Sequence, residues 1–465
     1  MSIGLAACGA LAIGSVSAQD FVPSGNLWGY AFGDYAVKAH NDTLQRGGGN
    51  VQYRGVTGGN STSAGSTSGL NSTNAGPYNG STLQSNGFEF RRIYLGYDFK
   101  FAPNWSAQVV LANEQDADAS GKNTVYVKYA NVRWSNFIKN QDLVLGQYQT
   151  CSFATAYNTE PLWSYRSVER TIMDMHNVDG STDMGASLEG KLWKQGGADV
   201  ADSSKPNMIG YYLQVGNNNT AAISNSNFKK VRANIYGTFM QHALTVGLYG
   251  DYMVQQTIGT YGATLNTPAT YMTANTTIKA YAAYKTEWFR VGFEFFQQTN
   301  LNSDAYTIYD ASTKTYSEGQ LATGVQMGVS VFASGVILKN KLNIFARYDH
   351  YNPDTKWNAN NLYTQVYGSL PTAEGNTIKG ANLTSATFYT QTFITAGLDW
   401  TPTARVHLMP NIWYNGYSAM GSTLSPSSTT DFGARAKNDD DMVYRLTFYF
   451  LFNQSKKVMN NGMSY

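Results

Sequence analysis

The sequence predicts an all-β fold: a transmembrane antiparallel up-and-down β-barrel of about sixteen strands, with an in-folded loop between strands 5 and 6. Three observations predict it. Aromatic residues make up 14% of the chain, with 33 Tyr and 22 Phe, while charged residues are also only 14%, well under the quarter usual in soluble proteins. Mean hydropathy is nevertheless −0.33, as expected when one face of every strand meets lipid and the other meets water. Segments alternate in character with period two, and the connections between them alternate long and short.

The chain opens with MSIGLAACGALAIGSVSAQD, an apolar run closed by Val16-Ser17-Ala18. Residues 1–18 read as a signal peptide, too short to span a bilayer. Leu5-Ala6-Ala7-Cys8 also has the form of a lipoprotein box, a second-ranked reading because almost no apolar run precedes it. After Ala18 no apolar run reaches the roughly 18 residues of a membrane helix. Residues 19–453 are read as the barrel and 454–465 as a C-terminal tail.

Strands are expected near 26–40, 88–101, 105–114, 124–135, 142–153, 182–193, 206–217, 228–240, 243–256, 270–285, 288–299, 323–338, 341–351, 386–401, 404–418 and 442–453. VYRLTFYFLF shows the pattern best: Leu446, Phe448, Phe450 and Phe452 share one face, and Arg445, Thr447 and Tyr449 the other. Arg91 breaks the parity of its strand and is expected at the outer rim. Pro410 removes one ladder bond and marks a bulge or a weak strand.

The connections sort by length. Residues 41–86 are a Gly/Ser/Asn/Thr tract unable to bury a core, read as a flexible external loop. Long links also follow strands 5, 11, 13 and 15, whereas Ala102-Pro103-Asn104, Gln241-His242, Thr286-Glu287, Lys339-Asn340 and Pro402-Thr403 are tight. Long loops on one rim and short turns on the other is the outer-membrane arrangement. The link from Lys194 to Lys205 is longer than its parity predicts.

Residues 154–181 are long for a connection, and long loops in compact folds tend to be functional; they are read either as a constriction loop folded into the barrel mouth, the reading the family resemblance given below favours, or as an external, solvated loop. Arg166 and Arg170 stand four residues apart, so a helical turn puts them on one face. Glu169 and Asp174 are the residues expected to tie this loop to the wall.

On the strands, Arg92, Lys128, Lys230, Arg232, Arg347 and Arg445 stand opposite the apolar stripe. Facing lipid at mid-membrane would cost each about 2–4 kcal/mol, so they are expected to face the lumen. Two readings stay open. Either they line the pore and bind passing anions, or they pair with Asp98, Asp251, Glu294, Asp349 and Asp399 and fill the interior with ion pairs. Net charge is +2, so no global field points to nucleic acid.

No cofactor or metal is expected. Cys8 lies in the leader, and Cys151 alone makes no disulfide or metal spacing. His40, His176, His242, His350 and His407 fall in no metal motif. The Asn438-Asp439-Asp440-Asp441 run reads as a solvated acidic loop rather than a calcium cage. His407 near Asn411 is the sole faint enzyme candidate, and a lumen-filling histidine is the stronger reading.

Several stretches resemble the phosphate-selective porin O and P family: FEFRRIYLGYDFKF, LVLGQYQTCSF followed by PLWSYRSVER, NIFARYDHYNPD and FITAGLDWTPTARVHLMPNIWYN, spread over most of Phe88 to Phe452. Gln149 stands where the family's GQFK pattern has a lysine, and the chain continues past Phe452, where such barrels end. The resemblance implies a sixteen-strand outer-membrane porin, usually a homotrimer, with a loop in the lumen and basic residues that favour anions. The expected function is passive diffusion of small hydrophilic solutes or anions across the outer membrane, in contact with its lipid and mildly anion-favouring. The alternatives are a substrate-specific phosphate or saccharide channel, or a plugged barrel with an envelope protein partner. Enzymatic activity ranks last.

Overall fold

The computed structural model describes residues 21–40, 85–114, 124–153, 170–194, 208–218, 227–258, 270–310, 315–316, 320–356, 361–364, 389–420 and 438–452. The predicted signal peptide, nearly all of the 41–86 loop, Arg166 and Glu169, and the 454–465 tail lie outside the described residues.

The strands are β1 (Ser24–His40), β2 (Ser85–Ala102), β3 (Trp105–Asn113), β4 (Tyr126–Ile138), β5 (Gln141–Gln149), β6 (Thr182–Lys194), β7 (Met208–Gly216), β8 (Lys230–Phe239), β9 (Leu244–Ile258), β10 (Thr270–Lys285), β11 (Phe289–Asp310), β12 (Thr315–Tyr316), β13 (Gln320–Leu338), β14 (Leu342–Asn352), β15 (Asn361–Thr364), β16 (Tyr389–Thr403), β17 (Val406–Ala419) and β18 (Asp439–Phe452). One single-turn helix, α1 (Ile172–Met175), lies between β5 and β6. Every pairing is antiparallel; the wall strands follow chain order, β11 pairing with β13 and β14 with β16 across the two short strands, and β1 pairs with β18 from Gly29↔Phe452 to His40↔Met442, which closes the sheet on itself. Of the 18 strands in the sheet, β12 and β15 are short ladders added to the far end of β11; the other sixteen form the closed wall.

Burial follows the period-two pattern, turned inside out relative to a soluble protein. On β18, Tyr444, Leu446 and Phe450 are exposed while Val443, Arg445, Thr447 and Tyr449 are buried. On β2, Ile93, Leu95 and Tyr97 are exposed while Arg92, Tyr94 and Asp98 are buried. An outer surface of aromatic and aliphatic side chains around a polar interior is stable only in lipid, so the chain is a transmembrane β-barrel. No described helix is long and apolar enough to cross a membrane.

Four expectations are corrected. Arg91 does not sit at the outer rim: the β1–β2 register slips between Phe32↔Arg92 and Gly33↔Phe90, so Arg91 is the extra residue of a bulge, and both arginines face inward and are buried. β5 ends at Gln149 rather than near 153. β11 runs to Asp310 rather than ending near 299, its far end pairing with β12, β13 and β15. Pro410 does not stop β17; it sits exposed in the strand opposite Leu446.

A second bulge lies in β4, where Val110↔Tyr129 gives way to Leu111↔Val127 and Lys128 turns inward beside Tyr129. Above Ala130↔Gln147 the β4–β5 ladder stops. The Gln147 amide replaces it, donating to the carbonyls of Val127 (2.6 Å) and Lys128 (2.9 Å). Gly146, at φ +113°, permits this turn; a Cβ there would lie 2.4 Å from the Ala130 oxygen. Beyond Gln149 the chain leaves the wall.

Candidate functional site

The chain between β5 and β6 is held by side chains from many strands of the wall. At its first described stretch, the Cys151 amide donates to Gln214 Oε1 on β7 (2.7 Å), Asn234 Nδ2 on β8 donates to the Cys151 oxygen (2.7 Å), and Lys279 Nζ on β10 donates to the Ser152 oxygen (3.0 Å). At the second, Gln298 on β11 donates to the Val178 oxygen (3.1 Å), and Arg347 on β14 donates to the Arg170 oxygen. Across the barrel, Arg92 on β2 reaches Asp174 at 3.8 Å. Residues 150–153 and 170–181 therefore lie against the inner wall, touching both sides of it.

Apolar contacts add to this. Ile172, Met173 and Val178 form one buried cluster with Cys151, Tyr249 and Phe296, while Met175 joins a second that includes Trp28, Tyr30, Phe32 and Tyr94. Thr171 caps α1 through its hydroxyl, which accepts from the Asp174 amide. The His176 ring stacks on Tyr351 with centroids 3.5 Å apart. Burial, and then the nearby Arg347 charge, depress the His176 imidazole to about 3, so it is neutral at physiological pH.

All six predicted lumen cations face inward, are buried, and touch carboxylates. Arg92 (3.3 Å) and Lys128 share Glu114 at the end of β3. Burial would raise the Glu114 carboxyl, but Arg92 and Lys128 outweigh it and hold it at about 2. Lys230 lies 2.9 Å from Asp179 and 3.1 Å from Asp251; Arg232 lies 2.9 Å from Asp179 and 2.7 Å from Asp183. Asp179 also accepts from Ser152 and Tyr249, and against the push of burial the two cations hold it below the usual carboxylate range. Arg347 pairs with Asp349. Arg445 pairs with Asp34 at 3.4 Å, which Arg91 also engages, and lies 3.6 Å over the Trp413 ring.

Among the expected acidic partners, Asp251 and Asp349 pair with these cations. Glu294 instead pairs with Lys279, Asp98 accepts from Trp28 and Gln108, and Asp399 meets His407. Sequence reasoning missed Asp34, Glu114, Asp179 and Asp183, the main counter-charges. Asp34 and Asp183 carry inward strand parity, but nothing local shows which cation each meets. Of the predicted loop residues, Arg170 and Asp174 are 4.0 Å apart, one turn from each other.

His407 Nδ1 lies 2.9 Å from Asp399 and 3.5 Å from the Thr401 hydroxyl. Carboxylate and hydroxyl meet the same ring nitrogen, whereas a nucleophile–base relay uses both nitrogens. Asp441 pairs with Lys38 at 2.8 Å and Asp440 with His40. Among the described residues no group of three His, Cys, Asp or Glu is arranged to hold a metal ion.

No family model and no curated protein matches the sequence. Among solved structures, the chain is similar to the outer membrane channel DcaP of Acinetobacter baumannii, at 11% identity and TM-score 0.51, over 92% of this chain and 97% of that one. It is also similar to OprB of Pseudomonas putida (6% identity, TM-score 0.49, 92% and 94% covered) and to OmpT of Vibrio cholerae (9%, 0.48, 93% and 99%). The likeness to DcaP agrees with the closed barrel described above.

Proposed function

We propose that the chain is an outer-membrane porin through which small hydrophilic solutes diffuse passively, with the segment between β5 and β6 setting the size limit. One observation carries the reading: an apolar outer wall encloses a polar interior in which that segment is tied down from both sides. The likeness to an outer membrane channel supports the same localisation. Since each predicted lumen cation touches a carboxylate, the interior field is close to neutral, and anion preference is mild. Membership of the phosphate-selective porin O and P family, and the homotrimer it implies, rest on the motifs given above. The experiment is single-channel recording in planar bilayers. Stable conductance steps with weak ion selectivity are the expected outcome.

A second reading is favoured by the buried cluster of Trp28, Tyr30, Phe32, Tyr94 and Met175, which fills one side of the interior. It makes the barrel a plugged component of an envelope assembly. A folded protein that stays silent in the bilayer would select it over the porin.

A further inference from the structure

We propose that two adjacent turns on the short-turn rim form a binding site for one anionic phospholipid, its phosphate held by Lys339, Lys341 and Arg405 and its acyl chains laid on the neighbouring outer wall. The β13–β14 turn (339–341) carries Lys339 and Lys341, and the β16–β17 turn (404–405) carries Arg405; all three are exposed. The two turns are neighbours, because β14 pairs with β16 and the Thr401 amide donates to the Lys341 oxygen at 2.9 Å. Asn340, at φ 61°, makes the tight left-handed turn that projects the two lysines past the wall.

Two tryptophans flank these cations at the level where amphipathic rings sit in a membrane interface. Trp288, 55% exposed, lies in the adjoining β10–β11 turn with Lys339 Nζ 5.8 Å from its ring centre; Trp400, 50% exposed, pairs in register with Leu342. Ile337, Leu338, Ile344 and Leu398 are exposed just inside this belt and continue into the lipid-facing wall. A surface with oil on one side, indole rings in the middle and cations beyond has the layering of a phospholipid, from acyl chain through glycerol to phosphate. Among the described residues of this rim, the one exposed acid is Glu287, 3.4 Å from Lys339, with both side chains about two-thirds exposed (67% and 64%). So loose a pair leaves Lys339 available to a headgroup.

The inference goes beyond the porin reading and needs only the membrane-embedded barrel. The purified full chain is reconstituted in mixed phosphatidylglycerol and phosphatidylcholine, released in mild detergent, and its retained lipids counted by native mass spectrometry. Phosphatidylglycerol should be retained several-fold over phosphatidylcholine. Near a charged surface each cation is worth a factor of about five, so K339Q should lower retention about fivefold and the triple variant K339Q, K341Q and R405Q tenfold or more. The control K229Q, an exposed lysine at the opposite rim, should leave it unchanged. Heat-dependent gel migration checks that each variant is folded. Equal retention of both lipids, or a folded triple variant that keeps the preference, would overturn the proposal, as would displacement of the lipid by millimolar inorganic phosphate, which would assign the cations to a soluble anion. The readout does not need an open lumen, so bilayer silence would sink the porin reading while leaving this one standing.

Discussion

The Asp179 carboxylate, in the chain between β5 and β6, sits 2.9 Å from Arg232 Nη2 on β8, with both side chains fully buried. This contact joins the in-folded segment to the wall, and Lys230, Ser152 and Tyr249 complete it. Removing one partner of a buried pair leaves an uncompensated charge and costs about 3–5 kcal/mol. Asp179→Asn should therefore lower the thermal midpoint in detergent and make the channel current noisier, while Asp251→Asn, which leaves Asp179 in place, should do less. Equal midpoints for the two variants would deny Asp179 its central place.

Cys151 reports on the same docking. It is a free, buried thiol, and burial pushes it up, away from the reactive thiolate. A polar maleimide should label the native protein very slowly and Asp179→Asn at least tenfold faster. Fast labelling of the unmodified chain would show that residues 150–153 are not held against the wall.

Acid should loosen the barrel in two steps. The His176 imidazole is depressed to about 3 from 6.5, so between those values the unfolded chain binds a proton that the folded chain refuses, and stability falls as pH falls. Glu114 is depressed to about 2 from 4.5, so its contribution is complete above pH 4.5 and is lost between 4.5 and 2. Unfolding midpoints measured against pH should lose the upper slope in His176→Phe and the lower one in Glu114→Gln.

The ion pairs make a charge prediction of their own. Arg445→Gln takes one of two arginines from Asp34, leaving it Arg91 and the Thr447 hydroxyl, and should move the reversal potential in a salt gradient toward cation preference. Adding Asp34→Asn should bring it back. If the single variant shifts nothing, this cluster lies off the ion path.

Gly146→Ala tests how β5 leaves the wall. The added Cβ would meet the Ala130 oxygen at 2.4 Å with the backbone at φ +113°, which costs on the order of 1–3 kcal/mol. The thermal midpoint should fall, and Gly250→Ala, whose Cβ would meet only the Thr277 oxygen at 3.5 Å, should be milder.

The alternation of Leu446, Phe448 and Phe450 with Arg445, Thr447 and Tyr449 was enough to give the strand one oily and one wet face, because a strand offers its side chains only two directions, and the alternation of long and short links pointed to the barrel. The inward parity of Arg92, Lys230, Arg232, Arg347 and Arg445 was legible for the same reason. Arg91 was not, since a bulge changes parity locally and is set by the register of the neighbouring strand. Nor was the pairing of charges: Arg445 and Asp34 stand 411 residues apart and meet because β18 closes against β1. The sequence by itself determined which residues face water and which face lipid; only the tertiary structure decided which cation meets which carboxylate, because barrel closure and register, rather than local chain geometry, bring them within reach.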